Sequence, residues 1–205
     1  MKEVKLDSMD SMQFDVLREI GNIGAGNATT ALSQMLNQKV DMKVPKIEML
    51  EFKDLSELIG GAENLVVGIL LTLEGSIDGM IMFILEKEPA HKIVSMLMAG
   101  LGDGSGNFTE MELSALQEIG NIIAGAYLNS LSALTNLTIT SSVPYMAIDM
   151  AGAILSVPAI EFSKISDKAL LIETEFGNKD TEVNGYFILI PTLESYNTIL
   201  TSLGM

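Results

Sequence analysis

Cysteine is absent from this 205-residue chain, which excludes disulfides, thiolate metal sites and a thiol nucleophile together and fits a reducing compartment. Aromatic residues make up only 5%, so the core has to be aliphatic, built from Ile, Leu, Val, Met and Ala. The 14 methionines fill space adaptably and need no cofactor to explain them. Bases are scarce, 12 against 27 acids, for a formal net charge of −15. Nucleic-acid binding through phosphate neutralisation wants the opposite sign, which sets that class aside. The longest apolar runs, such as Met80–Leu85, fall far short of the roughly 20 residues that span a bilayer. The first residues mix acids with apolar positions and hold no continuous apolar stretch, so no secretion signal is expected. Together these absences predict a cytoplasmic protein with neither a nucleic-acid nor a membrane partner.

What is present is a repeat. Sliding the chain by 99 residues lays Asp15–Asn37 over Ser114–Asn136. Leu17, Glu19, Ile20, Gly21, Asn22, Ile23, Ala25, Gly26, Leu32, Ser33 and Asn37 then meet identical residues, and at the same offset Val44-Pro45 meets Val143-Pro144. Helical spacing of apolar residues predicts long helices over 10–37 and 109–135. Thr109 with Glu112 three residues on is a capping-box start for the second. An extended segment holding the proline follows each, where proline suits a strand edge or entry. A shorter helix should come next, begun by Asp54 in one half and Asp149 in the other. Each half then shows a hairpin, Leu65–Leu73 with Ile77–Leu85 and Ala169–Phe176 with Val183–Ile190, and a closing helix, His91–Leu101 and Leu193–Leu203. The small polar and glycine residues of Gly100–Asn107 read as a linker.

The expectation is therefore an α+β fold: a single, internally duplicated, pseudo-two-fold symmetric domain. Its repeats run over about 10–101 and 109–203. They share a mainly antiparallel sheet and carry two long motif-bearing helices. The strand order is left open.

Chemistry points to the long helices. Asp15, Glu19, Asn22 and Gly26 lie at i, i+4, i+7 and i+11, one stripe along one side, and Ser114, Glu118, Asn121 and Gly125 form the same stripe in the second copy. The apolar residues take the other side, so these stripes should face solvent or a partner. Gly21, Gly24, Gly26, Gly120 and Gly125 each cost roughly 1 kcal/mol relative to Ala inside a helix. They either bare the surface for the close approach of another chain or let the two helices pack tightly; the sequence leaves both open. Asn is no base near neutral pH, but its amide can orient a water. That matters most where the electrophile is already activated and catalysis is largely positioning, as in phosphoryl transfer. The chain's one histidine, His91, lies well outside the motif.

Asp/Ser-x-x-x-Glu-x-x-Asn followed after 22 residues by Pro resembles the pattern of the CheC/CheX/FliY family of bacterial chemotaxis phosphatases. It is met at Asp15, Glu19, Asn22 and Pro45, and again at Ser114, Glu118, Asn121 and Pro144. The resemblance implies hydrolysis of the aspartyl phosphate on the response regulator CheY. Asn22 or Asn121 would place the attacking water, and Glu19 or Glu118 would pair with the regulator's active-site Lys. Asp15 and Ser114 would support them, with Pro45 and Pro144 structural. It further implies that Mg belongs to CheY and that the chain has no cofactor of its own. The receptor deamidase CheD is implied as a second partner. An acidic regulator gains nothing from long-range steering by a −15 chain, so recognition has to be local, with Arg18 a contributor at the first motif and Gln117 in its place at the second. Asp149 reads as a helix N-cap like Asp54, or alternatively as an interaction residue. The runner-up function is a non-catalytic adaptor that binds CheY or CheD.

Overall fold

Alternation with period two puts successive strand residues on opposite faces, and here both faces are apolar over much of the sheet, so it must be covered twice. In a computed structural model, which describes residues 11–37, 39–98, 106–162, 168–178 and 181–204, it is. The elements run α1 (Ser11–Leu36), β1 (Asp41–Glu51), α2 (Phe52–Leu58), β2 (Leu65–Gly75), β3 (Gly79–Glu86) and α3 (Lys87–Leu97). They continue with α4 (Glu110–Thr135), β4 (Ile139–Ser141), β5 (Tyr145–Met150), α5 (Ala151–Phe162), β6 (Lys168–Asn178), β7 (Thr181–Pro191) and α6 (Leu193–Ser202), two short strands standing where the first half has β1.

Every pairing is antiparallel, in the order β1-β6-β7-β3-β2, with β4 and β5 both on the outer side of β2. The hairpins β2–β3 and β6–β7 meet at the centre, and each half sends its proline-bearing segment across to the hairpin of the other. Exchanging the elements of the two halves leaves this order unchanged. Val67, Ile69, Leu71, Ile81, Phe83, Phe187 and Leu189 turn to one face, under α1, α4, α3 and α6. Val66, Met82, Ile84, Tyr186 and Ile188 turn to the other, under α2 and α5.

The long helices match their expected spans, although residue 10 and most of the expected linker, 99–105, lie outside the described residues. Thr109 caps α4 in a complete capping box: Glu112 N–H donates to Thr109 Oγ1 at 3.3 Å and Thr109 N–H to Glu112 Oε2 at 2.7 Å. Pro45 falls in edge strand β1, between Lys43 and Lys46, where the register with β6 shifts; a residue without an N–H fits an irregular edge. Pro144 lies between β4 and β5.

The starts of the short helices differ from expectation. Glu51 is the N-cap of α2, and Asp54 sits inside its first turn. Asp149 is not a cap at all: it belongs to β5, opposite Val66, and its Oδ1 accepts the Met150 N–H at 2.8 Å. The physical reason is that α5 needs no side-chain cap. Its first N–H groups, from Ala151 and Gly152, donate to the backbone carbonyls of Asn64 and Ala62 at 2.8 and 2.9 Å, which satisfies donors that a free helix end leaves open.

Candidate active site on two exposed helix faces

The two long helices lie side by side on one face of the sheet. Leu17, Ile20 and Leu32 of α1, and Leu116, Ile119 and Ile123 of α4, are buried against it. With that side fixed, helical geometry turns the opposite stripe outward. Asp15, Glu19, Asn22 and Gly26 are exposed, as are Ser114, Glu118 and Asn121, with Gly125 half-buried. The structure thus brings Glu and Asn together three residues apart, about 4.5 Å along the axis, on each helix.

The helical glycines divide into two kinds. A Cβ on Gly21 would come within 3.2 Å of Ile47 Cδ1, one on Gly24 within 2.7 Å of the Tyr127 ring, and one on Gly120 within 2.6 Å of Ile69. These three let helices pack on strand and on helix. Gly26 and Gly125, one turn beyond each asparagine, would meet nothing within 4 Å. Packing of the two helices on each other is met at Gly24, while Gly21 and Gly120 pack on strands and Gly26 and Gly125 are left bare. The angle around the helix carries the signal. At about 100° per residue, Gly26 and Gly125 stand about 40° from their Asn, Gly21 and Gly120 about 100°, and Gly24 about 160°.

The surroundings of the two sites differ. At the first, Arg18 pairs with Asp15 in solvent, Nη1 to Oδ1 at 3.4 Å. At the second, Gln117 donates from Nε2 to the carbonyl oxygen of Pro144 at 2.7 Å. That bond ties the residue before Glu118 to the motif proline, and the sequence alone gave no reason to look for it. Between the helices, Asn27 Nδ2 donates to Ser130 Oγ at 3.1 Å. Beneath them Tyr127 stacks on Phe187, ring centroids 4.3 Å apart. Burial pushes the Tyr127 hydroxyl up to about 12, with Thr174 near enough to offset this only slightly; no group meets that hydroxyl at hydrogen-bonding geometry. His91 stacks on Phe108 at 3.9 Å, away from both stripes.

Two cavities among the described residues pass near the long helices without a motif Glu or Asn in their lining. A cavity of about 30 Å³ lies under α1 and is lined by apolar residues including Leu17, Ile20, Tyr127 and Phe187, with room for little more than a water. The larger open groove runs along α6 past Leu137, Leu193, Asn197 and Thr198 and touches no motif residue. Among the described residues no three His, Asp or Glu side chains gather as a metal site would need. No helix among them is long and apolar enough to cross a membrane. A small substrate needs a pocket; an exposed Glu and Asn suit a macromolecule that brings the rest of the site with it.

Comparison with known proteins agrees on family. The model of the CheC-like family matches residues 12–49 and 111–146, once around each motif. The chain is 36% identical over 196 residues, 94% of each chain, to the CheY-P phosphatase CheC of Bacillus subtilis. It is 30% identical over 141 residues to the flagellar motor switch phosphatase FliY of the same organism, covering 68% of this chain and 36% of that protein. The fold is that of Thermotoga maritima FliY, with a TM-score of 0.76 and 22% identity over 96% of this chain and 98% of that one. The chain belongs to the CheC-like family.

Proposed function

We propose that this protein is a CheY-P phosphatase, hydrolysing the aspartyl phosphate of CheY on the exposed faces of α1 and α4. The observation that carries the reading is the pair of Glu-x-x-Asn faces, both exposed, one on each long helix. The 36% identity to CheC of Bacillus subtilis along nearly the whole chain supports it.

The helix lays its stripe over the phosphorylated site of CheY. The Asn22 or Asn121 amide oxygen accepts a hydrogen from a water and holds its lone pair toward phosphorus. The water oxygen bonds to phosphorus as the bond from phosphorus to the aspartate oxygen breaks. The electron pair stays on the aspartate, and the protons pass to phosphate and solvent. Glu19 or Glu118 grips the Lys of the regulator and so fixes the docked geometry, the largest lever where positioning carries the rate. Asp15 and Ser114 support the stripe from one turn before, while Pro45 and Pro144 shape the segments beside it. Mg comes with CheY, and this chain supplies none.

The same proposal includes the two-repeat organisation, about 10–101 and 109–203, in one cytoplasmic domain. The common 99-residue offset, the matching element order and the two family matches support it. CheD is the second partner. The apolar helix α5 and the β5 edge leave Val143, Tyr145, Met150 and Val157 in solvent. Asp149 is exposed among them, freed from the capping role. Val157→Asp should weaken capture of CheD and leave phosphate loss from CheY unchanged.

The decisive test of the phosphatase reading is the rate of phosphate loss from phosphorylated CheY. The wild-type chain accelerates it, and Asn22→Ala with Asn121→Ala removes the acceleration while the circular dichroism spectrum stays unchanged. Equal rates for the two proteins would sink the catalytic assignment. If neither accelerates loss, even with CheD present, the adaptor reading takes its place.

A further inference from the structure

Gly26 and Gly125 lack an explanation within the chain. A Cβ at either position would touch nothing, and neither backbone has a positive φ, so neither packing nor conformation calls for glycine. Alanine is the better helix former at both. The Gly26 carbonyl already accepts the Thr30 hydroxyl at 3.1 Å, so what the glycine bares is its Cα. Each lies four residues after its asparagine, about 6 Å along the helix and on the same outward stripe. By contrast, a methyl group on Gly24 or Gly120 would come within 3.0 Å of a neighbour, and one on Gly21 would crowd Ile47 at 3.2 Å.

We propose that Gly26 and Gly125 are specificity-determining residues of the two sites, keeping clear the space into which the backbone of phosphorylated CheY seats beside the phosphoryl group. The inference rests on the phosphatase reading and names the part of the surface that sets how close the regulator comes. A methyl group there holds the docked regulator off by an ångström or so and withdraws the asparagine amide from the attacking water. A misplacement of about 1 Å costs up to roughly 100-fold in rate.

The test uses Gly26→Ala with Gly125→Ala in the full chain. The double variant melts higher, by roughly 2–4 °C per substitution, while kcat/KM on phosphorylated CheY falls roughly 10- to 100-fold. Its binding to CheY loaded with beryllofluoride, a phosphoryl mimic, weakens in parallel. The Asn22→Ala, Asn121→Ala protein still binds that complex but does not hydrolyse phosphorylated CheY. A role in packing would move stability and activity down together, so a lower melting temperature overturns the inference. So does a glycine double variant that matches an active wild type within twofold, which leaves the phosphatase reading standing. A wild type that neither binds nor hydrolyses ends both.

Discussion

Gly24→Ala, only two residues from Gly26, should destabilise the fold. The new methyl would lie 2.7 Å from Tyr127 Cδ1, 3.0 Å from Cγ and 3.1 Å from Cα. The ring has little room to retreat, because Phe187 stacks behind it at 4.3 Å and Phe187 is itself fully buried. Nor can the Cα yield without α4 moving. Overpacking of a filled core costs about 1–3 kcal/mol, and this site belongs in the upper half of that range. Alanine returns about 1 kcal/mol of helix propensity, leaving a net loss of about 1–2 kcal/mol, or a melting temperature lower by roughly 2–8 °C. Urea unfolding followed by far-ultraviolet circular dichroism measures it, with Gly26→Ala as the control that makes the same propensity gain without the clash. The ring is the obstacle, so most of the loss should vanish when the same change is made in a Tyr127→Ala background. Gly24→Ala as stable as wild type would refute the reasoning, as would an equal loss in both backgrounds.

Thr109→Ala removes the cap of α4 and one partner of the buried Glu112 carboxylate; unfolding in urea should show a loss of about 1–2 kcal/mol. Gln117→Leu breaks the bond to the Pro144 carbonyl. In an Asn22→Ala background, where only the second site works, it should slow phosphate loss several-fold, and in an Asn121→Ala background it should change nothing. Tyr127 holds its proton to about pH 12 in the fold against 10.0 for an ordinary tyrosine, so the unfolded chain ionises first and stability falls as pH rises through that window, by at most roughly 3 kcal/mol. Tyr127→Phe, which removes a hydroxyl with no hydrogen-bond partner, should flatten the alkaline fall, and parallel stability curves for the two proteins between pH 9 and 11.5 would contradict this.

What could be read from the sequence was what depends on local spacing. The α4 capping box, the two stripes, the hairpins and the spans of the two long helices are each set by residues within a turn or two, or within one strand pair. By contrast, α3 runs over Lys87–Leu97 and begins four residues before the expected His91. Three features depended on distant partners and escaped. The start of α5 is held by carbonyls of Ala62 and Asn64, nearly ninety residues back, so Asp149 looked like a cap and is a strand residue. The strand order follows from β1 pairing with β6 and β3 with β7, contacts that no local pattern encodes. The packed glycines depend on what stands opposite. Gly24 is small where its counterpart at the 99-residue offset is Ile123, and Tyr127 is large where its counterpart is Ala28. Those two departures from identity compensate each other across the helix pair, and reading them together would have marked Gly24 as a contact.

The helix faces explain how one element can be both rigid and available. Burying Ile20 and Leu17 of α1 and packing Gly24 on Tyr127 fix the axis, and a fixed axis fixes where Glu19 and Asn22 point without any side-chain bond to hold them. The proposed catalysis by positioning needs that rigidity, since on that mechanism the amide has to meet a water placed mostly by another protein. The same proposal disfavours bulk nearby, for a convex surface approaches a recessed phosphoryl group most closely when its neighbouring turn is bare. Glycine in one helix therefore serves opposite ends. At Gly24 its lack of a side chain draws the helices together, and at Gly26, about 160° round the axis, the same lack leaves the surface bare.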